Sequence, residues 1–368
     1  MLDVIEKFAQ APQNPFGNAI VFSIDKKFIP YFSVTYASLV ANLNPKLTYD
    51  VFVLNTDLTE EDFQRISCIS TGNINLKFIN VKDAVSEIYA DIVFYEAGIW
   101  SLAVWYRLLI PVLFKKYSKV LYLDSDLCIT ESIDVFFNLP SEKYCCAASR
   151  DACASIFHNI FGVSLKDSIN IEKPEDYFNS GILLWFIENI NTEKFVANVK
   201  DVIRTKTIIC SDQDVLNSIF HGKCKLLDAS YNVQVNQVVC HRGFIEKLSN
   251  SARQDYIFGL RNPKIVHYVT HIKPWNSVDC MMSDYFWKFA SFSPYCYDLK
   301  KELSTTIENS NRINRFLYIA VNRRIFAIKQ HFYSCLRPFG SRYEKKYSKY
   351  KALLSEYYSL LSVFGSNI

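Results

Sequence analysis

No stretch of this chain reaches 18 consecutive apolar residues, so no helix is expected to span a bilayer. The opening segment, Met1 to Asn14, has neither a basic start nor an apolar centre, which argues against a secretory signal there. None of the 11 cysteines stands in C-x₂-C spacing, so zinc-ribbon and dithiol redox motifs find no support. An odd number of cysteines scattered from Cys68 to Cys335 fits a reducing, cytosolic setting with free thiols. There is no internal repeat, no low-complexity linker and no glycine-rich triphosphate loop. The last absence weighs against a nucleotidyltransferase, which would release pyrophosphate. A net charge of +4 is too small to point to nucleic acid, no RNA module accompanies it, and no such partner is expected.

What is present suits a large folded domain. Half of the 368 residues are hydrophobic and a fifth are charged, enough to bury a sizeable core. Ala19 to Ile24, Tyr49 to Leu54 and Asn75 to Val81 read as strands. Between them, Pro30 to Asn42 and Thr59 to Ile69 read as helices, the second capped by Thr59. That alternation implies βαβ units and a parallel sheet, an α/β fold. Ser101 to Ile110 is expected to be a helix carrying Arg107, with Pro111 as its kink or stop. Tyr144 to Ser149, Gly181 to Phe186 and Lys264 to Val269 are further strands, and Glu188 to Arg204 and Asp212 to Phe220 further helices.

The sharpest local signal is Lys119-Val-Leu-Tyr-Leu-Asp124-Ser-Asp126. A buried strand ends there in two carboxylates one residue apart. Ligands of open α/β sheets bind outside the carboxyl ends of the strands, and the pair could share one face of a cation. Alone, D-x-D reads more often as an Asp-rich turn. Other polar residues also admit structural places: Arg107 as an ion-pair partner, Asn179 as a turn cap, Asp212 as helix N-terminal charge, and His267 as a satisfied core histidine. His158, His221 and His241 are assigned structural places.

Five stations stand in order: IVFSID ending at Asp25, Trp105-Tyr-Arg107, the D-x-D, Asn179-Ser-Gly181 with Ser211-Asp-Gln-Asp214, and His267-Tyr-Val-Thr-His-Ile-Lys273-Pro-Trp275. This series, covering about Ala19 to Trp275, resembles the family 8 retaining glycosyltransferases, among them bacterial lipooligosaccharide galactosyltransferases and lipopolysaccharide glucosyltransferases. The resemblance implies a GT-A type, Rossmann-like nucleotide-binding domain over residues 18–280 with a mostly parallel central sheet. A helical C-terminal extension would cover 281–368. It also implies transfer of a hexose, glucose or galactose, from a UDP-sugar to a glycan or glycolipid acceptor, in lipopolysaccharide, lipooligosaccharide or capsule synthesis. A protein acceptor and a catalytically silent sugar-nucleotide-binding scaffold are the alternatives.

Residue by residue, the resemblance implies that Asp124, Asp126 and His267 bind Mn²⁺, with Mg²⁺ as a substitute, and that Lys273 contacts the diphosphate. Asp25 would lie near the base and ribose, and Arg107, Asp124, Asn179 and Asp212 around the donor sugar. Gln213 would face the anomeric carbon and Asp151 would lie near both sugars. The family commonly has glycine where this chain has Thr270, so any contact there passes through or around a side chain. Lys27 replaces a neutral residue near the base, and His271 beside the lysine is unusual. Retention is expected by same-face attack, Gln213 stabilising positive charge at the reacting carbon.

Basicity concentrates late in the chain, with 10 Lys or Arg against one acid between Asn311 and Tyr350. Ile313, Leu317, Val321, Ile325, Ile328 and Phe332 recur at helical spacing opposite Arg312, Arg315, Arg323 and Lys329. This reads as an element lying on an anionic membrane surface, peripheral on the cytoplasmic face, or as a helix packed on the catalytic domain.

Overall fold

A computed structural model describes residues 2–14, 16–94, 101–235, 244–309, 327, 329–330 and 341–364. The chain divides into two compact units, Met1–Pro274 with Asp279–Leu299, and Trp275–Val278 with Lys300–Ile368. The first is a mixed α/β unit built on a sheet of seven strands.

Chain order gives β1 (Asn18–Ser23), β2 (Tyr49–Asn55), β3 (Ile74–Asn80), β4 (Lys119–Leu123), β5 (Leu127–Ile129), β6 (Cys146–Arg150), β7 (Phe178–Phe186), β8 (Cys224–Leu227), β9 (Val233–Gln234) and β10 (Ile265–His267). The large sheet runs β3-β2-β1-β4-β7-β6-β8. All its pairings are parallel except the two made by β7, which is antiparallel to both β4 and β6. The strands of its centre are apolar on both faces because both faces are covered. Every residue of β2 and β7 is buried, and so are Val120 to Leu123 of β4.

The reversed strand decides where the chemistry can sit. Since β7 runs against its neighbours, its first residues lie beside the last residues of β4 and β6. Leu123 pairs with Ile182 and Arg150 with Phe178. The carboxyl edge of the parallel strands and the amino end of β7 thereby meet at one place. Beside it, β5, β10 and β9 form a small second sheet, with β10 antiparallel to β5 and parallel to β9.

The helices follow the expected positions closely. Ile29–Asn42 and Thr192–Thr205 are helical, and Thr59 caps Glu60–Ser67 through a reciprocal bond with Asp62. One element differs. Leu102–Leu109 is a 3₁₀ helix, and Pro111 sits in the first turn of the α-helix Ile110–Leu113 that follows. A proline's fixed φ suits a first turn, where its missing N–H is not needed. The helix Ser283–Ala290, past residue 281, belongs to the first unit.

In the second unit, Ser341–Phe364 is a helix carrying Lys345, Lys346, Lys349 and Lys351. The apolar stripe from Ile313 to Phe332 lies outside the described residues, as does His241. No helix among the described residues is long and apolar enough to cross a membrane.

Trp185 of β7 anchors one face of the core, edge-on to Phe195 at 5.8 Å and Phe220 at 5.6 Å between ring centroids. Removing a fully buried indole leaves a cavity that close-packed neighbours fill poorly. Trp185→Ala should lower stability by about 3–5 kcal/mol in urea unfolding.

Candidate active site

The D-x-D turn is fixed from two sides. Asp124 N–H donates to Gly181 O at 2.7 Å, tying the end of β4 to the start of β7. From the helix Ile29–Asn42, Thr35 Oγ1 accepts Leu127 N–H at 3.0 Å and lies 2.9 Å from Ser125 O. Ser38 Oγ accepts Ile129 N–H at 2.9 Å. These hydroxyls satisfy backbone groups of the turn and β5, and so hold both aspartates.

Pairing of β10 with β5 puts His267 opposite Leu127 and beside the turn. His267 Nε2 lies 3.3 Å from Asp126 Oδ1 and 3.7 Å from Asp124 Oδ2. The three side chains offer ligand atoms all within 4.8 Å of one another. Gly181 leaves the space for this. A Cβ there would come within 2.4 Å of His267 Cε1 and 2.6 Å of Asp124 Oδ2. Two carboxylates and an imidazole around such a gap fit a divalent cation. Lys273 Nζ lies 2.6 Å from Asp126 Oδ2 and also donates to Tyr268 O. Burial alone would raise the Asp126 carboxyl, but Lys273 and His267 hold it well below the usual carboxylate range.

Next to this cluster Arg107, 3 % exposed, joins three elements. Its guanidinium lies 2.8 Å from Asp124 Oδ1 and 3.0 Å from Asp212 Oδ2, and it donates to Ser180 O at 2.8 Å. The Tyr122 ring stacks beneath it at 4.2 Å, and the Tyr122 hydroxyl donates to Asp124 Oδ1 at 2.9 Å. Burial opposes the arginine's charge, yet Asp124 and Asp212 raise its pKa above the ordinary value. For Asp212 burial wins over Arg107, and Asp124 adds to the effect, so its carboxyl is pushed up to about 6.

A third group centres on Gln213, in the first turn of the helix Ser211–Phe220. Gln213 Nε2 donates to Asp151 Oδ2 and to the Tyr177 hydroxyl, both at 3.1 Å, while Oε1 accepts Ser180 N–H at 3.0 Å. The reverse amide would set oxygen against carboxylate, so the orientation is fixed. Asn179 Nδ2 reaches the same Asp151 oxygen at 3.0 Å. Just ahead, Ser211 has φ +42°, and its buried hydroxyl makes no hydrogen bond among the described residues. A non-glycine residue held in that region marks stored strain.

Nine of the eleven expected residues thus meet: Asp124, Asp126, His267, Lys273, Arg107, Asp212, Gln213, Asp151 and Asn179. Two take other local partners. Asp25 caps the turn after β1 by accepting Phe28 N–H at 3.0 Å, and Thr270 Oγ1 accepts Ile272 N–H at 3.2 Å. Several residues were not singled out: Thr35, Tyr122, Tyr177, Ser180 and Asn232. Ser180, inside Asn179-Ser-Gly181, and Tyr122, inside the strand that ends at Asp124, carry a visible cue.

His158 proves buried against Asp214, whose carboxylate also accepts Ile209 N–H at 2.7 Å and the Tyr177 hydroxyl at 2.7 Å. With Cys210 these two could group around a cation by distance. The Asp214 oxygens are already filled by donors, so we read a hydrogen-bond node that backs Tyr177. A separate cavity of about 540 Å³, lined by Asn18, Tyr49, Asp50, Lys119 and Asp134, lies at the opposite edge of the sheet and borders none of the candidate residues.

The family pattern described as Glycosyl transferase family 8 matches residues 19–279. The chain belongs to that family. This family 8 chain is 27% identical over 297 residues to a lipopolysaccharide 1,3-galactosyltransferase of Salmonella typhimurium, covering 76% of this chain and 79% of the relative. Against glycosyltransferase GlyB of Streptococcus pneumoniae it is 25% identical over 268 residues, 71% of this chain and 58% of GlyB. The apo structure of the bifunctional glycosyltransferase WbbM shares the fold at TM-score 0.69 and 22% identity, over 80% of this chain and 53% of that one. The family 8 chain thus spans little more than half the length of GlyB and of WbbM.

Gly181→Ala should weaken binding of a divalent cation at this cluster, with Mn²⁺ as the probe, by about tenfold or more, read by electron paramagnetic resonance of free Mn²⁺. A second expectation concerns pH. The fold raises the Asp212 carboxyl from 3.8 to about 6, so its contribution is full below pH 3.8 and is lost as pH rises through 6. Between about pH 4 and pH 7, wild type should therefore lose about 2 kcal/mol relative to Asp212→Asn, measured by urea unfolding without added metal.

Proposed function

We propose that this chain transfers a hexose, glucose or galactose, from a UDP-sugar to a hydroxyl of a glycan or glycolipid acceptor with retention of configuration. Synthesis of lipopolysaccharide, lipooligosaccharide or capsule is the setting. The observation that carries this reading is the convergence of Asp124, Asp126 and His267 around the space left by Gly181, with Lys273 on the same carboxylate. The relative named a lipopolysaccharide 1,3-galactosyltransferase supports the substrate class.

Asp124, Asp126 and His267 would hold Mn²⁺, with Mg²⁺ as a substitute. The ion, when bound, supplies Lewis-acid stabilisation to the diphosphate of the donor. The remaining work belongs to side chains. Lys273 places a compact positive charge where the leaving diphosphate gains negative charge. Arg107 fixes Asp124 and Asp212 at the donor sugar, with Asn179 beside them. Asp25 serves the base and ribose, and Thr270 reaches the diphosphate through its side chain.

Gln213 bears on the two routes to retention. Its amide oxygen accepts Ser180 N–H, and its nitrogen is held by Asp151 and Tyr177. An amide oxygen so engaged is a poor nucleophile, and it is a fixed dipole able to stabilise positive charge at the anomeric carbon. These contacts support same-face attack, with a departing phosphate oxygen taking the acceptor proton and Asp151 orienting the sugars. The lysines of Ser341–Phe364 support a peripheral place on an anionic, cytoplasmic membrane face.

Release of UDP from a panel of UDP-sugars, with Mn²⁺ and with chelator, tests the proposal. One donor should be hydrolysed in a metal-dependent way, and Asp126→Ala should reduce that rate by about 100-fold or more. UDP binding with no turnover of any donor would reject the transferase reading.

A further inference from the structure

Asn232 precedes β9, is 1 % exposed, and uses both ends of its amide inside the site. Its Oδ1 lies 2.9 Å from His267 Nδ1, and its Nδ2 lies 2.8 Å from Asn179 Oδ1. Which atom donates at each contact can be worked out from the backbone outward. Asn179 Oδ1 accepts Gly181 N–H at 3.0 Å, and Asn179 Nδ2 faces the Asp151 carboxylate at 3.0 Å. A backbone N–H must donate and a carboxylate must accept, so the Asn179 amide has one orientation. Asn232 then has to give its NH₂ to Asn179 and its oxygen to His267. His267 must in turn carry a proton on Nδ1, which leaves Nε2, the atom facing Asp124 and Asp126, to take a cation there.

We propose that Asn232 is a positioning residue that fixes the His267 tautomer and ties the metal-ligand cluster to Asp151 and Gln213. The assignment rests on the cation reading above only for its second consequence. The first, the tautomer, is a property of the metal-free protein. Through Asn179, the orientation set at His267 reaches the Asp151 oxygen that also receives Gln213 Nε2. One amide therefore serves both the histidine and the sugar-facing group. Partners of this kind fix ring orientation and raise ligand basicity.

The test uses the full chain, Asn232→Leu and Asn232→Asp. Long-range ¹⁵N–¹H spectra of the metal-free protein, with His267 assigned by His267→Asn, should show a proton on Nδ1 in wild type and its loss in Asn232→Leu. Mn²⁺ affinity, read by electron paramagnetic resonance, should fall about 10–100-fold in Asn232→Leu. Asn232→Asp still accepts from Nδ1–H but sets oxygen against Asn179 Oδ1. It should keep Mn²⁺ binding while kcat at saturating Mn²⁺ falls about tenfold, with the donor KM little changed. A purely structural role would move stability without this split.

A wild-type Nδ1 without a proton would overturn the proposal, as would wild-type kcat in Asn232→Asp. Should Asn232→Leu not fold, the wild-type tautomer and Asn232→Asp still decide it. Absence of Mn²⁺ binding by wild type with an Nδ1–H tautomer would reject the cation reading and the proposed link to it. Equal Mn²⁺ binding by wild type and Asn232→Leu would reject the link alone.

Discussion

A buried guanidinium between two carboxylates organises the site. Arg107 contacts Asp124 at the end of β4, Ser180 at the start of β7, and Asp212 at the head of the helix Ser211–Phe220. Each partner comes from a different element, so the cation joins pieces that chain connectivity leaves apart. It also makes a buried acid, Asp212, and a half-buried one, Asp124, tolerable. Without it, uncompensated charge would remain in a desolvated place, a situation that costs about 3–5 kcal/mol. The price of that arrangement appears in Asp212, where one arginine shared between two acids cannot hold the second carboxyl at its ordinary value.

The arginine can act this way because one strand runs backward. In an all-parallel sheet the first residues of β7 would lie at the far edge. Reversal places Asn179, Ser180 and Gly181 against the carboxyl ends of β4 and β6, so an amide, a hydroxyl and a missing side chain become available beside the D-x-D. Hydrogen bonds then knit the set. Asp151 gathers Asn179 and Gln213, Asn232 links Asn179 to His267, and Asp214 with His158 supports Tyr177 behind Gln213.

Much of this was legible in the sequence, for identifiable reasons. The central strands are long apolar runs between turn signals, and β1, β2, β3, β4 and β7 all lie where such runs occur. The ordered stations from Arg107 to Lys273 located nine residues that meet in space. Strands of two or three residues, such as β5 and β9, are too short to carry a two-residue period. Asn232 lies between a 3₁₀ turn and β9, where no periodicity distinguishes it from any loop asparagine. The hydroxyls of Thr35 and Ser38 were hidden by an otherwise apolar helix, since their partners lie about 90 residues away in the chain. The 3₁₀ winding of Leu102–Leu109 was missed because apolar spacing over two turns does not separate it from an α-helix.

Gly181 carries a consequence for how this chain can vary. Glycine is the one residue without a Cβ, so every coding change that alters it adds the atom for which His267 and Asp124 leave no room. Thr270 and Lys27 differ, since their side chains are already present and can be exchanged for others. Sequence drift and directed libraries alike should find specificity at positions of that second kind. The floor of the cluster offers them no neutral step.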